Sequence, residues 1–308
     1  MKRIVVTGAT SMLAVALIEE ALKTDIEEIA AAVRPASKNL SRLPADPRLK
    51  IVECDVADTR RLPELLNGSY EAFYHFGWPG TGPHRNDDIR QQLQSASYTL
   101  DALDAAKELG CTKFIGAGSQ AEYGVLDLPK ISPETDVRPV QIYGITKYAA
   151  GQLALQAAER MGMDCLWVRI FSVYGFHNKP TAMIPRAMEA FSKKERMPFT
   201  PAEQKWDYLF SEDAGRAFLA IGEKSKGQKV YCLGFGKSRP LSEYIRAIAG
   251  AMGADESLIG IGDLPYPKNC VMNICADIES LTADTGWKPE ISFEEGMRRY
   301  VAEPGRWF

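Results

Sequence analysis

The chain has 308 residues, 45% hydrophobic and 25% charged, with a net charge of −3 and an isoelectric point near 5.8. That apolar content suffices for a real core and excludes a wholly disordered chain. The slight acidity gives no reason to expect a nucleic-acid partner, and without a run of about 18 apolar residues no membrane-spanning helix is expected. At about 150 residues per domain the length fits two domains, or one large domain with an appendage. The start, Met1-Lys2-Arg3-Ile4-Val5-Val6, imitates a secretion signal, but Thr7-Gly8 interrupts it and Glu19-Glu20 follows. The six cysteines form no CxxC and read as buried reduced thiols, hence a cytoplasmic protein. The histidines at 75, 84 and 177 are too scattered for a histidine-rich metal site, so no metal is expected.

In chain order, Lys2–Thr7 is a short β-branched strand, and Ser11–Lys23 sets Leu13, Leu17 and Ala21 at helical spacing. Ile26–Val33 and Leu49–Glu53 read as strands, Pro63–Asn67 as the end of a short helix, and Ala72–Phe76 as a fourth strand. Arg85–Leu109 is a long helix that Gly110 closes; Lys113–Ala117 is a fifth strand. Tyr143–Met161 is a helix closed by Gly162, and Cys165–Phe171 a sixth strand. This alternation predicts an α/β fold, a doubly wound parallel sheet covered by helices on both faces, its strands uniformly apolar. After Tyr174-Gly175 prolines break the rhythm, and Phe210–Ile221 with Lys229–Leu233 looks like a return to the sheet. We therefore expect a nucleotide-binding domain over 1–175, its sheet completed by about 206–233. A smaller mixed α/β C-terminal domain over 176–205 and 234–308 would hold substrate.

The first strand runs into Thr7-Gly8-Ala9-Thr10-Ser11-Met12-Leu13-Ala14 and then a helix. Such a turn sets backbone N–H groups and a helix dipole against a pyrophosphate, which makes Gly8, Thr10, Ser11 and Met12 candidate cofactor contacts. Ser11 and Ala14 stand where a glycine-rich fingerprint would have its second and third glycines. Asp55 and Val56 after the third strand can meet an adenine, although Asp55 can equally be a helix N-cap. Phe76, Gly77 and Trp78 after the fourth strand would lie along the cofactor; His75 reads first as a satisfied core histidine. No acid occurs from Ile29 to Ala45, a span that holds Arg34, Ser37, Lys38 and Arg42. Arg34 and Lys38 suit the 2′-phosphate of NADP, so NADP is preferred and NAD remains possible.

Tyr143 and Lys147 lie four residues apart at the start of a helix, hence on one face. An adjacent ammonium and a cationic nicotinamide would pull the phenol toward neutrality, so that it could move a proton while hydride moves at carbon. Ser119, at the carboxyl end of the fifth strand, could hydrogen-bond the reacting oxygen or cap a turn.

With TGATSMLA at 7–14, GSQAEYG at 118–124, YGITK at 143–147, RIFSVYG at 169–175, WDYLFSEDAG at 206–215, and LTADTGWKP at 281–289 followed by SFEEG at 292–296, the chain resembles the extended short-chain dehydrogenase/reductases over essentially its whole length. The resemblance implies a Rossmann domain binding NAD(P), a Ser119–Tyr143–Lys147 catalytic set with Tyr143 and Lys147 also on the cofactor, and a C-terminal domain holding a sugar nucleotide. Gln120, Ser172, His177, Met183 and Trp206 are its candidate substrate contacts, and a homodimer through the two long helices is the family-level expectation. Dehydratases of this family carry an Asp-Glu pair where this chain has Gln120-Ala121, and Glu122 is expected to point away, so dehydration is disfavoured. Relatives often carry an arginine where this chain has Trp206, and a later one is matched only by Lys268; Lys205, His177, Lys179 and Lys268 are candidates to replace those phosphate contacts. The leading expectation is an NADP(H)-dependent reductase of a nucleotide-linked 4-keto-deoxysugar. A 4-epimerase retaining NAD is the alternative; a cofactor sensor without turnover is disfavoured because Tyr143 and Lys147 are both present.

Overall fold

The computed structural model describes residues 1–82, 84–267 and 270–307, so Lys268 lies outside the described residues. Six strands follow one another in the chain: β1 (Arg3–Thr7), β2 (Glu28–Val33), β3 (Leu49–Glu53), β4 (Ala72–His75), β5 (Lys113–Ser119) and β6 (Asp164–Ile170). The short strands β7 (Ser172–Tyr174), β8 (Met197–Phe199), β9 (Lys205–Trp206) and β10 (Tyr208–Phe210) precede β11 (Gln228–Leu233). One parallel sheet runs β11-β6-β5-β4-β1-β2-β3. Strand order reverses between β1 and β4, which leaves a crevice at their carboxyl ends.

The principal helices are α1 (Met12–Leu22), α2 (Leu62–Leu65), α3 (Ile89–Glu108), α4 (Ile142–Arg160), α5 (Met183–Ser192), α6 (Ser211–Lys224), α7 (Leu241–Met252), α8 (Glu279–Thr285) and α9 (Phe293–Ala302). Alternate residues of each inner strand enter opposite cores. Ile4, Val6 and Ile115 pack with Leu17 of α1 and Phe218 of α6; Val5, Phe73 and Phe114 pack with Leu103 of α3 and Ala154 of α4. Burial on both faces is why these strands are continuously apolar. The two edge strands depart from the expected uniform burial: Ile51 of β3 is half exposed and Gln228 of β11 is exposed. A third core lies off the sheet around Tyr174, Met188, Phe210, Ile245, Met297 and Tyr300.

Two expectations are corrected. The long third helix begins at Ile89, not Arg85, because Asp88 caps it through Gln91 N–H. Phe210–Ile221 does not re-enter the sheet: from Ser211 it is α6, and only Gln228–Leu233 returns as a strand. Ala214, Ala217, Phe218 and Ile221 are buried at helical spacing, with Glu212 and Arg216 on the opposite face, a period of 3.6. The helix crosses α1 closely, since a side chain on Gly215 would meet the Ala16 backbone. All six cysteines are unpaired, five of them buried. Among the described residues no helix is long and apolar enough to cross a membrane.

Candidate active site

At the crevice, β1 turns at Gly8 with φ +63°, and a Cβ there would stand 2.8 Å from the nitrogen of Gly77. The turn therefore lies directly against the chain leaving β4, and glycine is required on both counts. Gly77 is itself crowded by Val56, whose methyl would stand 2.7 Å from an added Cβ. Ser11 occupies the N-cap of α1, yet its hydroxyl caps nothing; Oγ is buried and has no hydrogen-bond partner. An orphaned hydroxyl beside the exposed N–H groups of an eleven-residue helix fits a pyrophosphate. Thr10 and Met12 flank it, half-buried, and Arg42 Nη1 donates to the Thr10 carbonyl at 3.2 Å. Arg34 and Lys38, by contrast, are exposed beyond β2.

Asp55 does act as an N-cap, accepting from Ala57 N–H at 3.0 Å, and Val56 follows it. His75 is the satisfied core histidine that was expected first: Nδ1 lies 2.8 Å from the Thr7 hydroxyl and Nε2 3.4 Å from that of Thr99. Phe76 stacks edge-on against Phe218, and Trp78 is buried with its indole N–H donated to Gln92.

Tyr143 and Lys147 share the first turns of α4, and Ser119 ends β5 opposite them. The Ser119 side chain neighbours the Tyr143 hydroxyl and favours its ionised form. Ser119 also accepts from Ala121 N–H at 3.2 Å, so it caps the 3-10 turn Gln120–Tyr123 while facing the phenol. Lys147 Nζ donates to the Ala117 carbonyl at 2.7 Å and sits 3.7 Å above the Trp78 ring. Burial pushes this amine down to about 7, against the pull of Glu122. Here the electrostatic expectation is corrected. Burial raises Tyr143 above the ordinary tyrosine value, and what opposes it is the neighbouring Ser119 side chain and the charge of Arg85, whose Cζ stands 5.2 Å over the ring. The ammonium of Lys147, spent on Ala117 and Trp78, is not among the groups that lower it.

Glu122 points away as expected, but through the 3-10 turn rather than strand alternation. Fully buried, it accepts from Ser119 N–H, the Trp167 indole and Arg169 Nε at 2.8–3.0 Å. That ion pair braces the loop from beneath. Gln120 stands half-buried at the head of the turn. Ser172 and Trp206 meet, the indole donating to the hydroxyl at 2.8 Å. His177 is buried at φ +60° with its backbone N–H on the Arg306 carbonyl. Met183 opens α5 and packs on the off-sheet core. Among the described residues Asp207 pairs with no cation; its buried carboxylate accepts from the N–H groups of Phe235, Gly236 and Ala276. Arg85, within reach of the phenol, carried no local sequence signal and was read as part of a helix.

The model of the NAD dependent epimerase/dehydratase family matches residues 4–234. The UDP-glucuronate 4-epimerase of Thermodesulfobacterium geofontis is 29% identical over 209 residues, 66% of this chain and 62% of that protein, so this match spans less than two thirds of its length. The fold is shared with UDP-N-acetylglucosamine 4-epimerase from Methanobrevibacter ruminantium in complex with UDP-N-acetylmuramic acid (TM-score 0.87, 21% identity, covering 100% of this chain and 98% of that one). RMD from Pseudomonas aeruginosa, complexed with NADPH, also shares it (TM-score 0.82, 23% identity, 98% of each chain). On the family match over three quarters of its length, with the switch-point crevice and the serine, tyrosine and lysine assembled beside it, the chain belongs to the NAD dependent epimerase/dehydratase family, enzymes of the extended short-chain dehydrogenase/reductase type that use a nicotinamide cofactor.

Proposed function

We propose that the protein is an NADP(H)-dependent reductase of a nucleotide-linked 4-keto-deoxysugar. The observation that carries this reading is an assembled Ser119–Tyr143–Lys147 set in a cleft without a free carboxylate on the 120–122 turn. Gln120 and Ala121 are not acids, and Glu122 is locked under the loop by Trp167 and Arg169. Dehydration requires a carboxylate to work on the sugar; protonating one oxygen requires only the phenol. Burial keeps Tyr143 protonated, the form a proton donor needs. The bound nicotinamide nucleotide supplies hydride. Tyr143 Oη gives its proton to the developing alkoxide oxygen, the Ser119 hydroxyl orients that oxygen, and Lys147 holds the cofactor ribose. Ser11, Thr10 and the α1 N-terminus take the pyrophosphate, with Gly8, Met12, Asp55, Val56, Phe76, Gly77 and Trp78 along the nucleotide. Arg34, Lys38 and Arg42 supply the positive charge a 2′-phosphate requires.

The sugar nucleotide would lie toward segments 176–205 and 234–308, over a domain of 1–175 with 206–233, near Gln120, Ser172, His177, Met183 and Trp206. Apolar side chains on α3 and α4, Ile89, Leu93, Ile145 and Leu153, are 48–58% exposed and support pairing of two copies through these helices. Reduced buried thiols favour the cytoplasm. A second reading, 4-epimerisation with retained NAD, is favoured by the names of the relatives. The test is a 4-keto-6-deoxy sugar nucleotide offered with NADPH or NADH. Net consumption of NADPH, lost by about 10²–10⁴-fold in Tyr143→Phe, is the expected result. Interconversion of epimers without net consumption establishes the second reading, and tighter binding of NADH overturns the cofactor assignment.

A further inference from the structure

Arg85 lies in the loop between β4 and α3, and Asn86 beside it fastens that loop to the catalytic helix: its Oδ1 accepts from Tyr143 N–H at 3.1 Å and its Nδ2 donates to Gln141. The guanidinium is thereby held over the Tyr143 ring. Among the described residues it has no carboxylate and no hydrogen-bond acceptor, and its Nε is buried without one. Elsewhere in the fold Arg3, Arg48, Arg169, Arg216, Arg239 and Arg306 each engage a carboxylate.

A second cation comes from a different loop. Lys179 Nζ donates to the Thr81 carbonyl at 2.7 Å and to its hydroxyl at 2.6 Å, which ties the segment after β7 to the loop that carries Arg85. Lys179 also lacks a carboxylate partner among the described residues, and burial together with the charge of Arg85 holds it below the ordinary lysine value. Two like charges kept together without a counterion are unfavourable in the free protein and are relieved by an anion. The other candidates near the cleft are engaged: Lys147 with Ala117, Trp78 and, in the proposed mechanism, the cofactor ribose, and the Trp206 indole with Ser172.

We propose that Arg85 and Lys179 form an oxyanion subsite beside the catalytic phenol, with the diphosphate of the nucleotide sugar as the expected occupant. The subsite rests on the nucleotide-sugar reading of the cleft. A planar guanidinium fork and a point ammonium suit two neighbouring phosphates, one bidentate and one single contact. The other source of the same chemistry is a carboxylate on the sugar.

The experiment is calorimetric titration of the full chain, saturated with NADPH, against UDP, dTDP, CDP and GDP, and then against the glucose and glucuronate conjugates of the nucleotide that binds best. Arg85→Gln and Lys179→Gln, with unfolding temperatures checked, are expected to weaken binding by about tenfold or more, the weight of a charge-assisted hydrogen bond. Arg85→Lys, which keeps the charge, recovers part of it. Equal losses for the bare diphosphate and both conjugates identify the diphosphate as occupant; a loss confined to the glucuronate conjugate identifies the carboxylate. Unchanged binding of all three in both variants overturns the subsite and leaves the nucleotide-sugar reading standing. A wild-type protein that binds none of the nucleotides overturns both.

Discussion

Polar side chains at the carboxyl edge of the sheet divide by what their neighbours leave them. The Ser119 hydroxyl caps a turn and also bears on Tyr143, so its structural role leaves room for the proposed catalytic one. Ser11, proposed to meet the pyrophosphate, keeps a buried hydroxyl without a partner among the described residues. His75 is the opposite case, with Thr7 and Thr99 at its two nitrogens. Burial, with a smaller contribution from Lys147, pushes its imidazolium down to about 3. The unfolded chain takes up that proton near pH 6.5, so the stability His75 contributes is complete above that value and is lost as pH falls from there toward 3. Between pH 6.5 and 4.5, His75→Gln is therefore expected to lose about 2–3 kcal/mol less stability than wild type in denaturant titrations. Parallel losses in the two proteins would show that the imidazole is not buried neutral.

The placement of α4 decides where Tyr143 and Lys147 stand. Trp167 of β6 fills the space that Gly116 and Gly118 of β5 and Gly151 of α4 leave open; a Cβ on Gly151 would stand 2.6 Å from the indole. Gly151 follows Lys147 by four residues and Tyr143 by eight, so all three share the face turned to the sheet. Gly151→Val is expected to push the helix outward, costing about 1–3 kcal/mol of stability. It should lower kcat further than a remote substitution of equal cost, because both proposed catalytic groups ride on the displaced helix. Full activity and an unchanged melting temperature would mean that the indole, not the helix, yields. At this scale most of the sheet was legible from apolar runs and turn residues. Phe210–Ile221 was not, although its period is helical: Ala214, Ala217, Phe218 and Ile221 bury one face while Glu212 and Arg216 stand partly exposed on the other.

Across the whole molecule, two buried aspartates hold the chain's last crossings in place. Asp207 gathers the N–H groups of Phe235, Gly236 and Ala276, and Asp213 those of Glu290 and Ile291, while its carbonyl takes the Trp287 indole. Segments far apart in sequence are fixed beside the site in this way. The apolar side chains exposed on α3 and α4 belong to the same scale and carry the proposed pairing of two copies. Leu93→Glu, on the outer face of α3, is expected to turn a dimer into a folded monomer in sedimentation, with helical content unchanged. A wild-type monomer would remove the pairing surface.

The sequence by itself determined the alternation of strands and helices, the phosphate turn at Gly8 and the candidates Ser119, Tyr143 and Lys147, because each is written in local periodicity or short spacing. Only the tertiary structure decided which groups share an electrostatic environment. Arg85 reaches the phenol from another loop, Lys147 is drawn to the Ala117 carbonyl, and Glu122 is neutralised by Arg169 from a different strand. Burial and charge pairing depend on distances between residues remote along the chain, and no local pattern encodes them.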